Sequence, residues 1–416
     1  MKLHFYLPLI TAILFFACTN SENGNNETAL ETNFSNGIWR GTIINDHNKE
    51  VPFLFEVTGE AEKSIFLING EEKLLLNEVK SKEDSLVIPM LVYDAEIVAK
   101  LEDNTLNGYY NRLGAYKLAF KANLGNESTT RFEVKEQPTQ KLSPKYATSF
   151  FYDNRDPKTA VGLFEQNGEK VTGTFMSETG DYRFLEGVLD GNALKLSAFD
   201  GSHIYRFEAT VDGDSIKDGI FWSGKSWEQK WNAQKDDNAK LRDASTLTSL
   251  KEGYETIEFS FPNEEGKMIS LSDDRYKGKV VILQILGTWC PNCMDETKFL
   301  APYYDKNKDK GVEIIGLAFE NADNLEAAAP KLKRMKNKLG VNYELLYAAK
   351  RESGATEKAL PAISKVMSYP TTIFIDKKGK VRKIHTGFSG PGTGKYYEEF
   401  QEDFNLFMDK LIEEKM

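Results

Sequence analysis

The chain has 416 residues, 40% of them hydrophobic and 28% charged, with a formal net charge of −10. Such a length implies two or three domains, and the composition is that of ordinary globular proteins. The acidic balance excludes nucleic acid as a partner, since phosphate binding requires clustered Lys and Arg. The first few dozen residues hold no basic run that would bind anionic lipid.

The N-terminus carries Lys2 and then an apolar run from Phe5 to Ala17. A run of 13 residues is too short to span a bilayer as a helix but suits the apolar part of an export signal. Cys18 follows Phe15, Phe16 and Ala17, which resembles the lipobox of bacterial lipoproteins, with Phe15 where Leu is usual. The resemblance implies lipidation at Cys18 and makes residues 1–18 a signal peptide. Residues 19–32 are polar and acidic, too poor in apolar surface to fold alone, and read as a tether to the membrane face.

Residues 33–236 read as an all-β region, a sandwich or barrel. Val51–Val57, Ser64–Asn69, Glu96–Leu101 and Ile204–Val211 are rich in β-branched and aromatic residues. Turn dipeptides recur between such runs: Asn69-Gly70, Asn107-Gly108, Asn167-Gly168, Asp190-Gly191, Asp200-Gly201 and Asp212-Gly213. A weak repeat of roughly 110 residues sets Phe55-Glu56 against Phe164-Glu165, and Leu86–Tyr110 against Leu196–Phe221. Two similar β units are therefore expected. Trp222, Trp227 and Trp231 read as core and edge packing.

Residues 237–251 are polar and charged and read as a linker. Across 252–416 the pattern becomes α/β. Lys279–Gly287 is a continuous apolar run, as in a strand buried on both faces. A helix follows Cys293, then a strand (Val312–Phe319), a helix (Leu325–Leu339), a short strand (Tyr343–Tyr347), a helical stretch (Ala355–Val366), a hairpin (Thr371–His385) and a last helix (Gly394–Ile412). Gly390-Pro391-Gly392-Thr393-Gly394-Lys395 lacks the spacing of a phosphate-binding loop and reads as the lead into that helix.

The chain has three cysteines, so with Cys18 lipidated the folded part holds only Cys290 and Cys293. That leaves no pair for a structural disulfide elsewhere. A zinc site needs about four ligands, and His4, His47, His203 and His385 lie far from the pair. No metal or cofactor is expected, and redox work is favoured. Cys290-Pro291-Asn292-Cys293 falls between a strand end and a helix start. Unpaired N–H groups and the helix dipole favour a thiolate there. Pro291 suits the first turn, and a spacing of three brings the sulfurs together.

VVILQILGTWCPNC (280–293), Glu296 and SYPTTIFID (368–376) resemble the TlpA/ResA-like thiol–disulfide oxidoreductases of the thioredoxin fold. Tyr343 to Leu360 looks like the insertion this family adds to the plain fold. The resemblance implies that Cys290 attacks a substrate disulfide and Cys293 resolves the mixed disulfide. It makes Glu296 a proton carrier for Cys293, and Pro370, after Tyr369, a cis-proline that seats the substrate, with Trp289 covering the pair. Gln284 stands where plain thioredoxins have a buried Asp, and an amide cannot act as a base, so proton transfer falls to Glu296 or water.

The family implies a reductase in the periplasm or cell envelope, often serving cytochrome c maturation, with protein thiols as substrates and a membrane-embedded electron donor. Two alternatives stand beside it. A thiol peroxidase would have Thr three residues before its cysteine, where Cys290 has Gly287 and Cys293 has Cys290 itself. A surface-binding lipoprotein would use the β region as its main module.

Overall fold

The computed structural model describes residues 34–60, 62–76, 78–126 and 128–415. The export segment, Cys18 and the tether lie outside the described residues.

The first β unit has nine strands: β1 Gly37–Ile44, β2 Glu50–Thr58, β3 Ser64–Asn69, β4 Glu72–Leu76, β5 Lys80–Lys82, β6 Ser85–Pro89, β7 Ala95–Glu102, β8 Thr105–Arg112 and β9 Tyr116–Leu124. They form one open sheet in the order β4-β3-β2-β1-β9-β8-β7-β6-β5. Alternate residues point inward, as the buried–intermediate alternation of β3 records. Asn107-Gly108 forms no turn but runs within β8. A Cβ at Gly108 would overlap the Val98 carbonyl of β7, so this glycine serves close strand approach.

The second unit comprises β10 Lys145–Tyr152, β11 Arg155–Asn167, β12 Lys170–Ser177, β13 Gly180–Asp181, β14 Leu185–Asp190, β15 Ala193–Phe199, β16 Ile204–Asp212, β17 Ser215–Ser223 and β18 Trp227–Lys235. Its order is β11-β10-β18-β17-β16-β15-β14-β12-β13, and β11 pairs with β12 as well. Leaving out the two-residue β13, eight strands close into a barrel. A barrel of that size has room for side chains alone. Here Phe150, Phe175, Phe207 and Trp231 fill it, each 0–1% exposed.

Both units place their first strand between their second and their last, and both continue as a meander. The sequence repeat therefore corresponds to a shared strand order. The units differ at one seam: the second closes there, whereas the first stays open and packs on its neighbour. Phe199 of β15 lies 4.4 Å from Phe53 and 5.7 Å from Tyr110 between ring centroids. Arg131, 1% exposed, bonds the carbonyls of Ser197 and Ile68 across the same junction.

Past the barrel, the expected linker 237–251 is held against both neighbouring parts. Ala239 and Leu241 pack on Val161 and Met176, Arg242 pairs with Glu178 at 2.6 Å, and Thr386 Oγ1 bonds Thr248 Oγ1 at 2.8 Å.

The C-terminal part contains β19 Ser260–Pro262, β20 Met268–Ser270, β21 Val280–Leu286, α1 Pro291–Asn307, β22 Val312–Glu320, α2 Leu325–Leu339, β23 Glu344–Lys350, α3 Ala355–Ala359, β24 Thr371–Ile375, β25 Val381–Thr386 and α4 Lys395–Glu413. Five strands form a sheet in the order β23-β22-β21-β24-β25. β21, β22 and β23 run parallel, and β24 and β25 antiparallel to their neighbours. β21 is buried at every residue, as a central strand covered on both faces must be. α2 starts at Asn324, whose side chain accepts from the Ala327 N–H, and stops at Gly340 with φ 64°. The helical stretch expected from Ala355 to Val366 ends at Ala359, because Pro361 has no N–H to continue it and disfavours a helical Leu360.

This part docks on the first β unit. Asp94 pairs with Lys331 and Arg334 of α2, each at 2.6 Å. The Tyr93 hydroxyl meets Met294 Sδ of α1 at 3.3 Å. One buried apolar cluster runs from Trp39 and Phe53 through Phe199 to Val280, Leu300 and Met408.

Candidate active site

β21, the central strand, delivers the chain to Gly287 at its C-terminal end. A Cβ there would overlap the Trp289 indole, so glycine permits the sharp exit. Cys290 then caps α1: its sulfur accepts from the Cys293 N–H at 3.1 Å, and Pro291 occupies the first turn. Cys290 and Cys293 are joined in a disulfide with their Cα atoms 5.2 Å apart. Exposure is unequal: Cys290 is 6% exposed and Cys293 0%. An incoming sulfur can therefore reach only Cys290.

The Tyr369–Pro370 peptide bond is cis, and the Tyr369 carbonyl lies 3.6 Å from Cys290 Sγ. Tyr369 packs edge-on against Trp289 at 5.4 Å and bonds Thr356 through its hydroxyl at 2.8 Å. Trp289 donates from Nε1 to the Phe319 carbonyl at 2.9 Å, with the Arg351 guanidinium 3.5 Å above its ring. The indole is thus fixed beside the pair rather than lost in the core.

Glu296, three residues past Cys293 on α1, is 1% exposed. It accepts from Thr372 Oγ1 at 2.6 Å and from Gln284 Nε2 at 2.8 Å. Burial pushes its carboxyl up to about 7, against the opposing pull of those two hydrogen bonds. Gln284 also accepts from Thr297 Oγ1 at 3.2 Å and so holds Glu296 in place without titrating. The structure thus brings Cys290, Cys293, Trp289, Tyr369, Pro370 and Glu296 together around one helix start. Only Cys18 falls outside the described residues. Among the described residues no group of His, Cys, Asp or Glu is arranged to hold a metal ion.

Sequence reasoning missed what the barrel contributes. The loop joining β12 to β14 lies across the cysteine face. Ser368 Oγ donates to the Thr179 carbonyl at 2.6 Å, Asn292 Nδ2 to the Asp181 carbonyl at 3.2 Å, and the Gly390 N–H to Asp181 Oδ2 at 2.5 Å. Gly180, with φ 123°, leaves no room for a Cβ against Asn292. Arg183 pairs with Asp295 of α1, with Glu72 at 2.6 Å and with Asp200 at 3.1 Å. Asp295 is thereby a docking residue. A cleft of about 440 Å³ remains between the barrel mouth and Cys290, with Tyr152, His203, Tyr205 and Trp227 on the barrel side. Trp222 and Trp231 are 2% and 1% exposed, whereas Trp227, expected to pack, is 50% exposed at this cleft. The three tryptophans gave a signal, but their spacing did not say which one faced the cysteines.

A strand–CxxC–helix unit facing a cis-proline on a mixed five-stranded sheet defines a thioredoxin-like protein. Residues 253–384 match the model of the AhpC/TSA family. The chain is 33% identical over 139 residues to the thiol-disulfide oxidoreductase ResA of Bacillus subtilis (strain 168), covering 33% of this chain and 69% of that protein. It is 37% identical over 131 residues to ResA of Bacillus anthracis, covering 31% of this chain and 66% of that protein, just under two thirds. A thiol:disulfide interchange protein of the thioredoxin family from Chlorobium tepidum TLS superposes with TM-score 0.29 at 20% identity, over 39% of this chain and 99% of that one. The chain belongs to the TlpA/ResA-like thiol–disulfide oxidoreductases, here carrying two β units ahead of the thioredoxin-like part.

Proposed function

We propose that the protein is a reductase of protein disulfides, tethered to a membrane outside the cytoplasm, with Cys290 and Cys293 as its redox pair. The observation that carries this reading is the unequal burial of two bonded cysteines at a helix start. In the reduced protein the Cys290 thiolate, favoured by the N–H groups of α1, attacks one sulfur of a substrate disulfide. A mixed disulfide forms and the first substrate thiolate leaves. Cys293 loses its proton, with Glu296 as the acceptor, and attacks Cys290 Sγ. The second substrate thiolate leaves, the substrate has gained two electrons and takes up two protons, and Cys290–Cys293 is a disulfide again. A membrane-embedded dithiol donor restores the reduced pair.

Tyr369 and Pro370 offer backbone beside Cys290, and Trp289 limits water there. The tether rests on the apolar run before Cys18 and on lipidation of that residue. Among the described residues no helix is long and apolar enough to cross a membrane. Gly287, three residues before Cys290, weighs against the peroxidase alternative.

The test uses cells expressing the full chain. The wild type reduces insulin when supplied with dithiothreitol, and Cys290→Ala abolishes this. Cys293→Ala accumulates mixed disulfides with envelope proteins in the membrane fraction, and adding Cys18→Ala moves those complexes to the soluble fraction. Insulin reduction that survives in Cys290→Ala refutes the reading.

A further inference from the structure

We propose that the barrel wall of the active-site cleft selects the substrate: an extended, cysteine-containing peptide segment with an aromatic side chain next to the cysteine. This rests on the redox reading of Cys290 and names the substrate class of that site.

Three observations point to it. The first is size. A cleft of about 440 Å³ matches sites that enclose small molecules or a few residues, roughly 300–1,000 Å³. The β12–β14 loop already takes the Ser368 hydroxyl and the Asn292 amide on either side of Cys290. A folded partner therefore cannot lay its surface on the cysteine face, while a slim segment can enter.

The second is the state of the polar groups in the cleft. His203 Nδ1 is bonded to Asp200 at 3.0 Å, Lys158 Nζ to Thr179 Oγ1 at 2.5 Å, and Gln229 Nε2 to the Phe151 carbonyl at 3.2 Å. These partners lie within the protein, though the neutral Thr179 hydroxyl leaves the Lys158 charge in place at the cleft, where a carbonyl of the bound segment can meet it.

The third is the aromatic surface that remains. Trp227 is 50% exposed, with its ring 6.4 Å from Tyr152. Tyr205 stacks on His203 at 4.5 Å. An exposed indole gains burial and edge or stacking contacts only when a ligand covers it. A side chain flanking the substrate cysteine reaches this wall while the cysteine meets Cys290 Sγ. The electron transfer is the one described above, with the peptide sulfur attacked and its partner thiolate released.

The experiment uses the full chain, reduced with dithiothreitol. Two linear peptides of equal length each carry one cysteine in a mixed disulfide with glutathione. Phe flanks the cysteine in one and Ser in the other, and glutathione release is measured. The wild type should show kcat/KM about tenfold higher for the Phe peptide, carried mainly by KM. Trp227→Ala should bring the ratio close to one, Tyr152→Ala should lower it, and Trp227→Phe should restore it. Equal kcat/KM on both peptides, a preference that survives both alanine variants, or faster reduction of oxidised glutathione than of either peptide overturns the inference. If the wild type still reduces insulin in that case, the redox reading stands. If it reduces neither insulin nor peptide, both fall.

Discussion

A carboxyl group closed off from water is tuned by its surroundings, and Glu296, one helical turn past Cys293, is such a group. Its ordinary value of 4.5 is raised to about 7, chiefly by burial. The folded protein therefore holds a proton that the unfolded chain releases, and the sign follows: stability from this group is complete below about pH 4.5 and is lost as pH rises through 7. The loss amounts to about 3 kcal/mol. Glu296→Gln keeps the size and the partners but cannot titrate. Urea unfolding of the oxidised proteins should show the wild type losing about 3 kcal/mol relative to the variant between about pH 5 and about pH 8. The variant should also resolve mixed disulfides more slowly and lose the matching limb of the pH–rate profile. Parallel stability curves would reduce Glu296 to a packing residue. The cysteine pair was legible because a strand end and a helix start put it on one short stretch, and Glu296 only through the family resemblance that sets an acid one turn further on. Thr372 and Gln284 as the holders of Glu296 were not, since three separate elements converge there and no local pattern records it.

The loop between β12 and β14 is short, yet it decides how the barrel meets α1. Arg183 within it, 3% exposed, sits among Asp295, Glu72 and Asp200. These carboxylates share one guanidinium away from water. Nearby charge, His203 first and Arg183 next, outweighs burial and keeps Asp200 well below the usual carboxylate range. Removing the cation strands buried negative charge, which costs far more than loss of an exposed pair. Arg183→Met should lower stability by about 3–5 kcal/mol in urea unfolding, with reduced Cys290 more quickly alkylated as the loop lifts. A loss below about 1 kcal/mol would place the network among ordinary surface pairs. In the sequence nothing local marks this loop, which carries Tyr182 and Phe184 among polar residues, as the part that meets α1. The strands themselves were legible from alternation, but Asn107-Gly108 was not, because a glycine needed for strand approach looks the same as one needed for a turn.

At the scale of the molecule, the apolar cluster that crosses from the first β unit into the C-terminal sheet joins elements nearly the full length of the chain apart. Parts that share a core lose their packing together, so scanning calorimetry of the oxidised protein should show one transition with matching calorimetric and van't Hoff enthalpies. Two resolved transitions would mean that the shared cluster adds little. The closed and open units were legible as two similar meanders, but not which one would close, since closure depends on the single β11–β12 seam. The floor of the cleft has a further effect on a population of molecules. On the proposed redox reading, Cys290, 6% exposed and recessed at the cleft floor, would not meet Cys290 of a second copy, so two copies would not trade disulfides directly. Reduced and oxidised copies would then not equalise by collision. On that reading each reduced copy would keep its pair of electrons until a segment slender enough to enter the cleft collected them.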